Sequence, residues 1–294
     1  MDIRSFFDKI QHSWLIQFVE HRIGDRRVVR LIQKWLKAGV IEQGQWHEAE
    51  EGSPQGAVIS PILANLYLHY ALDLWVGAWR RKRARGDVII VRYADDAVLG
   101  FEHREDAEQF LEQLRERLAK FGLELHPEKT RLIEFGRFAT ENRKKRGEGK
   151  PETFNFLGFT HICGTNYRTG KFTIHRKTIG KRLAAKLKDI RAQRFKRMHA
   201  RVPGTAKWLQ QVVRGYFQYH AIPGNSARLG AFRSEVARSW LQALRRRSQR
   251  HRMSWERFSA RLVPLLPPVQ ILHPYPDVRF AAKFPQILGR NRVR

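Results

Sequence analysis

Hydrophobic positions recur along this chain with two different periods. Val28, Leu31, Ile32, Trp35 and Leu36 fall at helical spacing and predict a helix beginning after the Gly24-Asp25 break. Trp14 to Arg22 predicts a helix before it, with Ser13 as its cap. Ser60-Pro61 is a helix start, since a capping hydroxyl precedes a proline at the first helical position. Ile62, Leu63, Leu66, Tyr67, Tyr70, Leu74 and Trp75 continue that helix as a buried face, and the basic run Arg80 to Arg85 ends it at the surface. Glu105 to Phe121 repeats the pattern with Phe110, Leu111, Leu114 and Leu118, and closes on Gly122. Between these helices the runs shorten to strand length. Val88 to Arg92 and Ala97 to Phe101 flank Tyr93-Ala94-Asp95-Asp96, which predicts a β-hairpin with an acidic tip. Asp2 to Asp8 reads as a strand end entering a turn, Gly39 to Gly52 as strand and loop, and Leu123 to Phe135 as short strands. Helices alternating with short strands around a hairpin predict an α+β layer, not a doubly wound sheet.

The second half has a different texture. Gly136 to Thr153 is charged and poor in apolar residues, which predicts a mobile surface loop, and Phe154 to Phe159 returns to strand. From Lys171 the pattern is helical, with breaks at Pro203-Gly204 and Pro223-Gly224. Trp208, Val212, Val213, Tyr216 and Phe217 form one apolar face, and Leu229, Phe232, Val236, Trp240 and Leu244 another, so a three-helix bundle is predicted. From Pro264 the prolines predict an irregular tail. The expected domains are residues 1–170, a basic helical region over 171–262, and the tail 263–294. No internal repeat is visible.

Composition narrows the partner. The 294 residues suffice for two domains with cores of their own. Fifty-six lysines and arginines oppose 28 acidic residues, for a net charge of +28. Residues 171–252 alone hold 22 lysines and arginines against Asp189 and Glu235. A balance this basic calls for a polyanion, nucleic acid or an anionic membrane. No apolar run has transmembrane length and the start lacks a signal-peptide pattern, so nucleic acid is the expected partner and the cytoplasm the expected setting. The single cysteine, Cys163, excludes intrachain disulfides and cysteine-rich zinc sites.

Adjacent carboxylates at a hairpin tip repel each other, and a divalent cation with oxygen ligands relieves that repulsion. In a basic chain, Asp95 and Asp96 therefore suggest metal-dependent phosphoryl transfer on nucleic acid. A metal pair needs a third carboxylate from another strand, and Asp2 is the candidate. The loop Gly52-Ser53-Pro54-Gln55-Gly56 feeds the Ser60 helix start, where backbone can approach a phosphate. Lys129 follows Pro127-Glu128 and could neutralise one. Each has an ordinary alternative: a turn aspartate, a frayed terminus for Asp2, a plain turn and a surface lysine.

These segments, in this order, resemble the reverse transcriptase and maturase proteins encoded by group II introns. The resemblance rests on Asp2-Ile-Arg-Ser-Phe-Phe-Asp8, Gly52-Ser-Pro-Gln-Gly56 running into Ser60-Pro-Ile-Leu-Ala-Asn65, and Tyr93-Ala-Asp-Asp96. It continues through Gly122 to Thr130, Phe156-Leu-Gly-Phe159, Val213-Arg-Gly-Tyr-Phe217 and Pro223-Gly-Asn225. It implies a palm followed by a helical thumb or maturase domain, RNA-directed DNA polymerase activity and intron splicing. It implies two Mg²⁺ ions held by Asp2, Asp95 and Asp96. Phe6 or Phe7 would lie under the nucleotide sugar, Gln55 and Gly56 would meet nucleotide or template, and Lys129 would sit at the phosphates. Phe156, Leu157 and Gly158 would position the primer, with Arg214, Arg245, Arg246 and Arg247 on RNA. The implied partners are intron RNA, an RNA template with a DNA primer, and deoxynucleoside triphosphates; the oligomeric state stays open. Family members begin well before the strand of Asp2, with fingers that hold triphosphate and template. The chain therefore reads as an N-terminally truncated copy or a mis-called start. The corresponding alternative is an impaired copy that only binds RNA, or a relic without activity.

Overall fold

The computed structural model describes residues 1–37, 40–42, 45–47, 52, 58–166, 169–247 and 253–283. The chain forms two compact units, Met1–Ile133 and Glu134–Arg294. Helices and small antiparallel sheets mix in an α+β arrangement.

The first unit begins with a short extended segment and a single 3-10 turn, then α1 (His12–Arg22) and α2 (Arg26–Lys37). Gln11, not Ser13, occupies the cap of α1, so Ser13 lies inside the helix. On α2 the buried residues are Val29, Ile32 and Leu36, whereas Val28, Leu31 and Trp35 are exposed. The apolar stripe is wider than one face, and only one side of it meets the core. The backbone of β1 (Val40–Glu42) pairs with β2 (Gln45–His47).

Then α3 (Ser60–Leu68) runs through a π-helical turn (His69–Asp73) into α4 (Leu74–Lys82). The cap is Ile59, so Ser60 and Pro61 lie in the first helical turn. The wider turn inserts an extra residue and shifts the phase of α4 relative to α3. Leu63, Ala64, Tyr67 and Leu68 are buried before it, Ala71 and Leu72 within it, and Val76 and Trp79 after it, while Ile62 and Leu74 face outward. Of the predicted face, Leu63 and Tyr67 are buried and Leu66, Tyr70 and Trp75 pack against the core; Leu74 turns outward where the wider turn interrupts the 3.6-residue period. Strands β3 (Val88–Tyr93) and β4 (Asp96–Phe101) form the expected hairpin, and α5 (Arg104–Ala119) buries Phe110, Leu114 and Leu118. Segment 123–135 forms no strand, only an isolated bridge from Leu125 to Ile3. The core joins Ile3, Phe6, Leu15, Tyr67, Leu72 and Leu114, with aromatic edges of Phe18, Tyr67 and Phe121 packed on one another.

The second unit starts with α6 (Ala139–Lys145), inside the segment predicted as a mobile loop. Arg146 pairs with Glu134 and Glu148, and Arg143 with Glu148, so the charges that suggested mobility form an ion-pair group instead. Strands β5 (Phe154–Phe156), β6 (Phe159–Thr165) and β7 (Phe172–Thr178) make an antiparallel sheet in that order. The composition shift near residue 170 falls between two paired strands of one sheet, whereas the compact units part at 133/134.

Helices α7 (Gly180–Lys196), α8 (Val202–His220) and α9 (Ser226–Arg246) follow, with a core of Leu209, Val213, Phe217, Phe232, Val236 and Trp240. Pro203 and Gly204 lie in the first turn of α8 and do not break it, because proline fits where no helical N–H partner is needed. Buried Asn225 donates to the Thr178 hydroxyl and the His220 carbonyl and accepts from the Thr178 N–H, tying sheet to helices. Ahead of the tail, α10 (Trp255–Arg261) buries Phe258; the tail itself is less irregular than expected, since it holds α11 (Pro276–Lys283). Among the described residues no helix is long and apolar enough to cross a membrane.

Candidate active site

The acidic tip is built by register. Tyr93 pairs with Asp96, which leaves Ala94 and Asp95 as a two-residue turn. Ala94 has φ +53°, a left-handed conformation that costs an L-residue about 1–2 kcal/mol. The turn is fastened from behind by Arg92. Its guanidinium donates to both carboxylate oxygens of Asp73, at 2.7 and 2.5 Å, to Asn65 Oδ1 at 2.9 Å and to the Ala94 carbonyl at 3.0 Å.

Asp2 reaches the tip because the chain start is held on both sides. The Met1 amine donates to the Ala97 carbonyl at 2.9 Å, and the Ala97 N–H returns to the Met1 carbonyl at 3.1 Å. On the other edge the Arg4 N–H donates to the Glu124 carbonyl and the His126 N–H to the Asp2 carbonyl, each at 2.9 Å. Ile3, 2% exposed, anchors this segment in the core, so Asp2 is not a frayed end. Lys129 Nζ lies 2.8 Å from Asp2 Oδ2. Partial burial holds the Asp95 carboxyl above its ordinary range; Asp96 and Asp2 push it further up and Lys129 opposes them. The Asp2 hydrogen bond in turn raises Lys129, with Asp96 and Asp95 adding to it. Three carboxylates and one ammonium thus share a single field at the hairpin tip.

Among the described residues no three His, Cys, Asp or Glu side chains are close enough to enclose a metal by themselves. Mg²⁺ seldom needs such a cage: one or two carboxylates with substrate phosphates and water complete its octahedron. The carboxylates are hard, anionic oxygen donors of the kind that mode uses, although the Lys129 ammonium would have to yield Asp2 Oδ2 to a metal.

Phe6 and Phe7 are separated by burial. Phe6 is 2% exposed and packs on Tyr67, whereas Phe7 is half-buried with its ring 5.5 Å from that of Phe6. Gln55 and Gly56 lie outside the described residues, but Gly52, which opens their loop, is fixed. Its N–H bonds the Ile10 carbonyl at 2.8 Å, and His12 Nε2–H donates to its carbonyl at 2.6 Å. Gly52 has φ +88°, and a Cβ there would come within 3.0 Å of the Phe7 carbonyl, so only glycine fits.

In the second unit, β5 and β6 are joined by Leu157 (φ +46°) and Gly158 (φ +82°). Two positive φ values are the signature of the turn that matches strand twist. The Tyr219 hydroxyl on α8 donates to the Leu157 carbonyl, and its ring stacks on Phe159. Arg214 and Arg246 are exposed. Arg245 donates to the Met253 carbonyl, and Arg247 buries its Nε without a hydrogen-bond partner. The four predicted RNA-facing arginines are therefore not equivalent.

Sequence reasoning missed Arg92, Asp73, Asn65, His12 and Tyr219. A cation within an apolar strand and a lone acid in an apolar helix were the visible signals for the first two.

Residues 1–161 match the family described as reverse transcriptase (RNA-dependent DNA polymerase). The group II intron-encoded protein LtrA of Lactococcus lactis subsp. cremoris is 47% identical over 75 residues, 26% of this chain and 12% of the relative. Protein YkfC of Escherichia coli strain K12 is 37% identical over 125 residues, 33% of this chain and 32% of the relative. The putative COX1/OXI3 intron 1 protein of Saccharomyces cerevisiae is 27% identical over 178 residues, 44% of this chain and 21% of the relative. The matches thus span a third or less of these relatives' lengths.

Proposed function

From the premise that the chain belongs to the reverse transcriptase family, of the kind encoded by group II introns, we propose that it copies RNA into DNA and assists intron splicing. The observation that carries the catalytic half is that the backbone pairing of Met1 with Ala97 brings the Asp2–Lys129 ion pair beside the Asp95–Asp96 tip, within electrostatic reach of Asp95. In this reading residues 1–170 hold the palm, and residues 171–262, with α7 to α9, the thumb or maturase domain.

Asp2, Asp95 and Asp96 would hold two Mg²⁺ ions, which supply activation of the primer 3′-hydroxyl and stabilisation of the leaving pyrophosphate. The new bond joins the 3′-oxygen to the α-phosphorus of the incoming deoxynucleoside triphosphate, as the bond to pyrophosphate breaks. Lys129, mostly exposed, is free to turn from Asp2 towards a phosphate oxygen when the triphosphate arrives. Half-buried Phe7 would lie under the nucleotide sugar, whereas Phe6 is buried in the core. Gln55 and Gly56 would meet nucleotide or template beyond the clamped Gly52. The rigid turn Phe156-Leu157-Gly158 would support the primer strand.

The splicing half is carried by the basic helices. Folded intron RNA is a dense polyanion, and Arg214, Arg245 and Arg246 present cations on exposed helix faces. An RNA-binding role without polymerisation is the second reading, favoured by the charge of residues 171–252. Either role places the protein where intron transcripts are, in the cytoplasm.

The test is primer extension on an RNA template with the purified chain, Mg²⁺ and deoxynucleoside triphosphates, beside Asp95→Asn. Extension abolished in the variant is the expected result. A folded wild-type chain that extends nothing would overturn the polymerase reading and leave RNA binding.

A further inference from the structure

Arg92 makes four hydrogen bonds to three different segments, and one of them lands on the carbonyl immediately before Asp95. Its side chain is 14% exposed and that of Asp73 30%, so the pair is largely shielded from water. Asp73 is the last residue of the π-helical turn, and that turn sets the phase at which the carboxylate meets the guanidinium. His69, at the first position of the same turn, brings Nδ1 to 3.7 Å from Asp73 Oδ2. Asn65, one turn earlier on α3, is oriented by its own bond to the Pro61 carbonyl at 2.9 Å. The Arg92 charge is matched by Asp73, so what reaches the tip is not a field but a fixed position.

We infer that Arg92, with Asp73 and Asn65, is a positioning device that holds the Ala94–Asp95 turn in its left-handed conformation and so sets the metal-binding geometry of Asp95. This rests on the reading of Asp95 as a metal ligand. The physical need is plain. A left-handed alanine relaxes unless its surroundings over-determine it. A two-residue turn at the end of an exposed hairpin has few other contacts. Tyr93 and Asp96 on either side are both exposed. The planar fork of arginine is suited to span a carboxylate, an amide oxygen and a backbone carbonyl at once, and a lysine could not.

The experiment uses the full chain with Arg92→Lys, Asp73→Asn and Asn65→Ala, and reads Mn²⁺ binding by electron paramagnetic resonance beside circular dichroism and thermal melting. Arg92→Lys keeps the charge and removes the fork; Asp73→Asn keeps the shape and removes the charge. Both should weaken Mn²⁺ binding about 10- to 100-fold, as loss of groups that orient ligands does. Asn65→Ala, at an exposed position, should give a smaller loss in the same direction. In primer extension kcat should fall while KM for the triphosphate holds, since the groups that touch the triphosphate remain. Folded variants that bind Mn²⁺ and extend primers as wild type does would overturn the inference. If the first two variants fail to fold, an unchanged Asn65→Ala overturns it alone. Asp95→Asn separates the two levels: wild-type Mn²⁺ binding that this control does not weaken would sink the site reading, and the positioning role with it.

Discussion

The phenolic hydroxyl of Tyr219 donates to the carbonyl of Leu157 at 2.8 Å, joining helix α8 to the β5–β6 turn. That turn holds a leucine at φ +46°, a conformation it adopts only under outside constraint. Tyr219→Phe should cost about 1 kcal/mol of stability in urea melts. Gly158→Ala should cost more, because φ is +82° and the new Cβ would stand 3.2 Å from Arg182 Nη1. In primer extension both should raise KM for primer more than KM for triphosphate. Equal effects on the two substrates would speak against a primer role for this turn.

Lys129 and Asp2 form an ion pair whose lysine side chain is 61% exposed. Such pairs contribute little to folding. Lys129→Ala should therefore melt as the wild type does but extend primers more slowly, with the loss in KM for triphosphate. A lowered melting temperature with unchanged kinetics would make the lysine structural.

Two histidines make the second unit sensitive to acid. Burial, aided by Arg176, holds His161 below 6.5, and burial with Arg182 does the same for His220. The unfolded chain then binds more protons than the folded one wherever pH lies between the two values. Stability is full above about 6.5 and falls as pH drops from there through the lowered folded values. Urea melts between neutral and mildly acidic pH should show this slope, and His161→Gln with His220→Gln should flatten it. A slope unchanged in the double variant would assign the acid sensitivity elsewhere.

Phe232 is fully buried and stacks on Tyr216 with ring centroids 3.7 Å apart. Phe232→Ala should cost about 3–5 kcal/mol in denaturant melts, the range for emptying an aromatic core site. A loss below about 1 kcal/mol would mean that the helices collapse around the gap.

Binding of RNA should weaken steeply with salt, because each neutralised phosphate releases counterions. Replacing Arg214 and Arg246 by alanine should lower the salt slope by about 0.7 for each single-strand phosphate that is no longer neutralised. Arg247→Ala should change the slope less, since Arg247 is only partly exposed and its Nε is buried. A salt slope left intact by the first two would move the RNA face off these helices.

Much of this protein was determined by its sequence alone. Two apolar runs of strand length flank the short acidic segment Tyr93-Ala94-Asp95-Asp96, so hairpin and acidic tip were legible. The apolar stripes of α8 and α9 were legible for the same reason: Leu229, Phe232, Val236, Trp240 and Leu244 recur at one uninterrupted period and are all buried. The charge balance fixed the kind of partner, since a polyanion is what so basic a chain attracts.

Tertiary structure decided the rest. The π-helical turn shifted the phase of α4 relative to α3 and turned Leu74 outward, because hydrogen-bond register inside a helix answers to packing and leaves no local mark. Residues 139–145 form a helix that buries Ala139, and Glu134, Arg143, Arg146 and Glu148 pair around it, a compensation of charges visible only once the chain has folded. Phe6 and Phe7 are chemically identical neighbours, and only the core beside Tyr67 distinguishes them. Asp2 and Lys129 are 127 positions apart, Arg92 and Asp73 nineteen. Their meetings depend on which strand edges and helix turns pack together, and no local period in the chain encodes that.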